Sequence, residues 1–462
     1  MPDEQPDASR EANSPSGPAA QTYPLIRFDR AEAAFAYRRG EPITVERFLQ
    51  DVGALAAILP PHRHVLNLCT DRYRFAVGLG AALRRRQISL LPPNDTPGVL
   101  ADLAEDYADL YCLSDGAAPA APIPCLRYPD EFAARPALAA IPVLPARQPA
   151  VLLFTSGSTG RPKAAAKSWG TLVRSARAAG ARLGIGALPG ASIVGTVPHQ
   201  HSYGLESTIL LALQHGLALQ AERPFYPGDI AAALAALPRP RILVTTPIHI
   251  RALLADAEPA PPADLLVSAT APLARELAAE AEARFRAPLL EIYGCSEAGQ
   301  VAVRQTSREA AWRCLDGITL RQDEEGTWAA GEAVETPTLL HDVIELAGGG
   351  SFMLHGRTAD MVNIAGKRTS LAHLNHQLAA IDGVLDGVFV VPPEEEGPVT
   401  RLAAFVVAPG LAAEAVLAAL RERIDAAFLP RPLVFVEALP RNTLGKLPRE
   451  ALLPLVAEGG MA

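Results

Sequence analysis

Cysteine is scarce: five residues in 462, at Cys69, Cys112, Cys125, Cys295 and Cys314, an odd number with no metal-type spacing. That usage excludes a disulfide scaffold and a cysteine-held metal, and it predicts free thiols in a reducing compartment. No apolar run reaches the roughly 18 residues a bilayer span needs, so no membrane helix is expected. Basic charge is not in excess. The formal net charge is −8, which argues against a general nucleic-acid binder but leaves room for a small anionic ligand. The run Arg84-Arg85-Arg86 reads as a solvated helix end. The stretch from Met1 to about Thr22 is rich in Pro, Ser, Ala and acids. It lacks a basic region followed by an apolar one, so residues 1–22 read as a disordered tail and not a signal peptide. There is no internal repeat. A soluble cytoplasmic enzyme is the expectation.

Length and a hydrophobic content of 49% are enough for two or three domains with real cores. From Val65 the pattern alternates short apolar strands (65–69, 88–91, 110–113) with helical segments (72–86, 97–107). It resumes after Phe154 with strands near 193–197, 242–245, 265–268 and 289–293. Such alternation predicts an α/β fold, a parallel sheet with helices on its faces. From about 313 to 355 the spacing shortens and looks antiparallel. The last hundred residues are mixed, with strands near 387–391 and 402–408 and a helix near 412–427. Domain limits of 23–357 and 358–462 follow.

The densest chemical signal is Thr155-Ser156-Gly157-Ser158-Thr159-Gly160-Arg161-Pro162-Lys163, directly after the apolar run 150–154. Glycines let the backbone approach an anion with its N–H groups, and Ser and Thr add donors without bulk. Arg161 and Lys163 bring charge suited to a polyphosphate. It is not a Walker A loop, because the Gly-Lys-Ser/Thr ending is missing.

Four further segments accompany it: Glu291-Ile292-Tyr293-Gly294-Cys295-Ser296-Glu297, Leu340-His341-Asp342, Gly356-Arg357 through Gly366-Lys367-Arg368, and Pro440-Arg441-Asn442-Thr443-Leu444-Gly445-Lys446. In this order and spacing the set resembles the acyl-adenylate-forming superfamily of acyl-CoA synthetases, AMP-ligases, adenylation domains and luciferases. The resemblance covers nearly all of 45–450. It implies a large N-terminal adenylation domain of stacked αβ layers with a small β-subdomain, followed by a small, mobile α+β C-terminal domain. It also implies an enzyme, an AMP-forming acid–thiol ligase. A carboxylate attacks the α-phosphorus of ATP, pyrophosphate leaves, and a thiol then attacks the acyl-AMP.

By the same resemblance Thr155 to Gly160 and Lys163 grip the leaving phosphates. Ala271 and Pro272, with Thr270 before them, line the adenine and acyl pockets. Tyr293 stacks on adenine beside Gly294, Ser296 keeps the hydroxyl of a usual Thr, and Cys295 faces the acid. Glu297 is the Mg²⁺ ligand, fitting a hard cation that takes carboxylate and phosphate oxygens. Asp342 holds the ribose although His341 replaces the usual Gly before it, and Arg357 faces ribose and phosphates. Lys446 neutralises the carboxylate and α-phosphate as they meet. Arg368 meets phosphate in a second domain arrangement or caps a surface turn. The hinge position is Ala359, where the family has Asp or Lys, and Asp360 follows it.

The segment Val197-Pro198-His199-Gln200-His201-Ser202-Tyr203-Gly204-Leu205-Glu206 matches the acyl-pocket motif, with His201, Tyr203 and Gly204 at the substrate. Its polar residues suggest a hydroxylated aryl acid or another short acid. Its wording also resembles ligases of aryl-polyene and xanthomonadin-type pigment clusters, which load a hydroxybenzoate onto an acyl carrier protein. The acceptor expected from this is a carrier-protein phosphopantetheine. The alternatives are free CoA, or a non-catalytic acyl- or nucleotide-binding relative. Retention of Lys446, Glu297 and the whole phosphate segment argues against the last.

Overall fold

The computed structural model describes residues 21–92, 94–136, 140–155, 163–256, 258, 260–357, 361–364, 367–392, 402–441, 447, 451 and 452. Two large sheets dominate. The first has six strands, in the order 163–168, 149–155, 88–91, 64–67, 110–114 and 125–127. All its neighbours run parallel except the first pair, a hairpin. The second has eleven strands, and its parallel centre comprises 289–295, 265–268, 241–245, 192–195, 218–220 and 34–38. Most of these strands are short buried apolar runs, and 192–195, 241–245, 265–268 and 289–295 are placed from hydrophobicity, whereas 34–38 and 218–220 are not.

Between the sheets run the helices 45–58, 72–84 and 169–182 and the helical stretch 202–215. The helix Arg72–Arg84 touches strands of both sheets. Its flanking helices start on side-chain caps, Thr44 accepting from the Arg47 amide and Ser168 from the Thr171 amide. One core joins these layers, with Val65, Leu91 and Val151 from the first sheet and Ile193, Ile242 and Val267 from the second. Each such side chain contributes about 1.5–3 kcal/mol by leaving water. Helices 227–236, 247–255 and 275–285 cover the outer face of the second sheet. Helix 97–106 covers the outer face of the first. A three-stranded antiparallel sheet, 318–323, 326–331 and 338–340, follows.

Residues beyond 361 build a second body with its own cores. Strands 386–390, 403–407 and 433–435 form a sheet. Helices 371–379 and 413–421 pack on one of its faces. The helix expected to run to 427 stops at Arg421. Asp425 bonds the Ala427 amide with its side chain and starts a separate 3₁₀ turn at 426–428. The Arg84–Arg86 end is exposed as expected, and all five cysteines are free. Among the described residues no helix is long and apolar enough to cross a membrane.

Candidate active site

The carboxyl ends of the parallel strands deliver the motif segments to one edge of the second sheet, the edge where open α/β sheets bind ligands. Strand 192–195 leads into 196–201, strand 265–268 into Ala269–Pro272, and strand 289–295 into the turn at 296–298.

Tyr293 is 9% exposed, its ring against Trp312 and Phe352, and its hydroxyl donates to Asp342 Oδ2 at 2.6 Å. Asp342 opens strand 342–348, where it stands opposite Arg357 in the antiparallel pairing with 351–357. The structure thus gathers Tyr293, Asp342 and the Arg357 backbone from segments up to 64 residues apart. After Tyr293 the pairing with strand 299–304 slips by one residue. A Cβ on Gly294 would collide with the Gly299 carbonyl, so only glycine fits this bulge. Cys295 Sγ accepts from the Ala298 amide, and burial pushes its thiol up to about 11. Ser296 and Glu297 are half-buried on the turn.

Thr270 holds φ = +81°, a costly conformation for a β-branched residue, and its hydroxyl has no partner among the described residues. Strain at such a position marks it as functional ground. Ala271 and Pro272, next in the chain, line a cavity of about 370 Å³ between helix 247–255 and the C-terminal body. Arg441 and Leu447 line the same cavity, bracketing residues 442–446. Arg441 is held by a two-pronged ion pair with Asp386, at 2.6 and 2.7 Å.

The 197–206 segment is anchored internally. Arg72, fully buried, donates to the carbonyls of Gly195, Val197, Gln220 and Glu222, and burial lowers its pKa to about 10. His199 Nε2 and Gln200 Nε2 both bond the Cys69 carbonyl at 2.9 Å. Tyr203 lies with its hydroxyl 3.0 Å from the carbonyls of Thr245 and Val267, and burial pushes its phenol up. Ser202 donates to the buried Glu206 at 2.7 Å. The polarity taken as a sign of a polar acyl pocket is therefore largely spent on the protein itself. His201 is half-buried at the N-cap of the helical turn Ser202–Gly204. A Cβ on Gly204 would strike the Pro198 carbonyl, so the helix start needs glycine to come this close.

Thr155 and Lys163 are cross-strand partners closing the hairpin of strands 149–155 and 163–168. Ser156, Gly157, Ser158, Thr159, Gly160 and Lys446 lie outside the described residues, as do the hinge residues Ala359 and Asp360 and the side chains of Thr155, Lys163, Arg357 and Arg368. Arg368 stands opposite Asn363 on a hairpin whose second strand touches 351–357.

Sequence reasoning missed Lys167. It is 3% exposed and donates its ammonium to the Glu297 main-chain carbonyl. Burial lowers its pKa, and Glu206, Cys295, Glu335 and Glu297 oppose that shift. Glu206 accepts from Ser175, Ser202 and the Gln300 amide, and Glu335 from the amide and hydroxyl of Ser168. A lysine closing an alanine run after a strand was the only trace of this network in the sequence.

The family described as AMP-binding enzyme matches residues 42–323. The 4-coumarate–CoA ligase of Rhodobacter capsulatus is 31% identical over 63% of this chain and 73% of its own length. The 3-hydroxybenzoate–CoA/4-hydroxybenzoate–CoA ligase of Thauera aromatica is 26% identical over 65% of this chain, and the match spans 65% of that relative. In fold, the o-succinylbenzoate CoA synthetase of Bacillus subtilis, solved with its acyl-adenylate intermediate, superposes with a TM-score of 0.76 at 15% identity, over 91% of this chain and 95% of that one. The chain belongs to the AMP-binding enzyme family, within the acyl-adenylate-forming superfamily.

Proposed function

We propose that the protein is an ATP-dependent ligase that adenylates an aryl carboxylic acid and passes the acyl group to a phosphopantetheine thiol. The observation that carries this reading is the Tyr293–Asp342 bond beside Arg357, set at the same sheet edge as the Glu297 turn. That edge offers an aromatic ring and a carboxylate for two ribose hydroxyls, with the Arg357 backbone alongside; by residue type Arg357 brings a cation suited to phosphate. A carboxylate oxygen of the acid attacks the α-phosphorus, and the bond to pyrophosphate breaks. Acyl-AMP remains. The thiol sulfur then attacks the acyl carbonyl, loses its proton, and AMP leaves.

Little covalent work falls to the protein; positioning and charge compensation carry such chemistry. Lys163 and the hydroxyls from Thr155 to Thr159 hold the departing pyrophosphate. Lys446 offsets the charge where acid and α-phosphate meet. His201, Tyr203, Gly204, Thr270 and Cys295 surround the acid. Among the described residues no three His, Cys, Asp or Glu gather to hold a metal. The Glu297 carboxylate suits Mg²⁺, which takes one or two carboxylates and fills its shell with phosphate oxygens and water. Its charge would offset the triphosphate.

Free CoA is the acceptor favoured here, since the named relatives are CoA ligases. Transfer to an acyl carrier protein is the second reading, favoured by the wording of Pro198–Glu206. Pyrophosphate release against benzoic, cinnamic and fatty acids tests the first step, and product mass with CoA or a carrier protein tests the second. Absence of release with every one of these acids would sink the proposal. Lys446→Ala should abolish release while sparing thiol transfer from supplied acyl-AMP.

A further inference from the structure

Lys167 is the last residue but one of the strand 163–168, and a bulge between Lys167 and Ser168 breaks the register there. Its side chain leaves the first sheet and meets the second at the Glu297 carbonyl. A buried ammonium is expensive unless paired and hydrogen-bonded, and Glu206, Glu297 and Glu335 supply the compensation. The turn it grips has no strand pairing of its own, since the strands end at Cys295 and resume at Gly299. A charge-assisted bond to one carbonyl of that turn is strong in a low-dielectric setting and restrains the adjoining peptide.

We propose that Lys167 is a positioning residue for metal–triphosphate binding: it fixes the 296–298 turn so that the Glu297 carboxylate keeps one register against the phosphate hairpin. The inference rests on the reading of Glu297 as the Mg²⁺ ligand. Tying the turn to the strand that carries Lys163 makes the two sides of the triphosphate site one unit. A hydrocarbon at 167 would leave the Glu297 carbonyl without this donor and the turn loose.

The test is calorimetric binding of ATP with Mg²⁺, and of AMP without it, to the full chain. Lys167→Met should raise the Kd for ATP with Mg²⁺ about tenfold or more, with AMP affinity unchanged. Because that variant strands Glu206, the double variant Lys167→Met/Glu206→Gln is measured beside it. It rebalances the charge without restoring the bond to Glu297, so it should fold and keep the same selective loss. Unchanged binding of ATP with Mg²⁺ would overturn the proposal. So would equal weakening of ATP and AMP, or recovery in the double variant, which would make Lys167 a charge partner of Glu206 and nothing more. Wild-type protein that binds neither nucleotide overturns the nucleotide reading as a whole, whereas normal wild-type binding with unaltered variants overturns the Lys167 role alone.

Discussion

The phenol of Tyr293 packs against the stacked pair Trp312 and Phe352, so its hydroxyl reaches Asp342 without freedom to search. A hydrogen bond to a carboxylate contributes about 1.5–3 kcal/mol when its partner would otherwise be misoriented. Tyr293→Phe keeps the ring and its packing and removes the bond. Steady-state pyrophosphate release should then show KM for ATP up about tenfold with kcat little changed. An equal fall in kcat would place the hydroxyl in the transition state instead. His199 makes a second prediction at this scale. Burial, Arg72, Arg223 and His201 hold its pKa well below the ordinary 6.5, against the opposing pull of the Cys69 carbonyl. The unfolded chain therefore takes the proton first as pH falls. The stabilisation is complete above pH 6.5 and drains below it, by up to about 1.4 kcal/mol per pH unit. Denaturant unfolding at pH 7.5, 6.0 and 5.0 should show a shallower decline in His199→Gln than in the parent; identical slopes would refute the assignment. Tyr293 and Glu297 were easy to single out because one contiguous segment, 291–297, carries both, although their partners Asp342 and Lys167 lie 49 and 130 positions away. Lys167 was not, because the carboxylates that make its burial affordable lie 39, 130 and 168 positions away.

At the scale of elements, the stretch 197–215 couples a tight loop to an irregular helix. Gly204 passes against the Pro198 carbonyl, and Thr208 Oγ1 donates back to the Gly204 carbonyl at 2.6 Å. That side-chain bond intrudes on the backbone ladder, and residues Leu205–Leu210 widen into a π-helix, a form that recurs at functional sites. Gly204→Ala must push this helix off the loop that bears His201. Overpacking of this kind costs about 1–3 kcal/mol. Thermal unfolding should record that loss, and KM for the acid should rise more than KM for ATP. A variant as stable as the parent would mean the loop yields freely. Strands were easier to foresee than such junctions, since a doubly covered strand is a continuous apolar run. The return strand 163–168 receives no assignment, because Lys163-Ala164-Ala165-Ala166-Lys167-Ser168 holds neither a β-branched nor a large apolar residue. Its pairing with 149–155 is a hairpin closed by residues 155 and 163, a contact that no alternation within the strand itself encodes.

The whole molecule is two bodies meeting at a cavity, and the chain toward Lys446 departs from its rim. Arg441 sets that departure. Its guanidinium grips both oxygens of Asp386 on the edge strand 386–390, each partner about a quarter exposed. A planar fork on a carboxylate fixes direction as well as distance. If the proposed lysine must arrive at the sheet edge beside Ala271 and Pro272, this pair aims the segment that carries it. Partial exposure limits what the pair can add to stability, so its loss should appear chiefly in catalysis. Arg441→Ala and Asp386→Ala should each slow pyrophosphate release about tenfold, with thermal midpoints within about 3 °C of the parent. The double variant should lose no more than either single one, a coupling energy of about 1–3 kcal/mol in the adenylation step. Thiol transfer from supplied acyl-AMP should be spared in all three, because that step does not call on Lys446. Additive losses would mean that Arg441 and Asp386 act separately, and a loss of transfer in the same proportion would mean that the pair serves the junction of the two bodies and not the approach of one lysine.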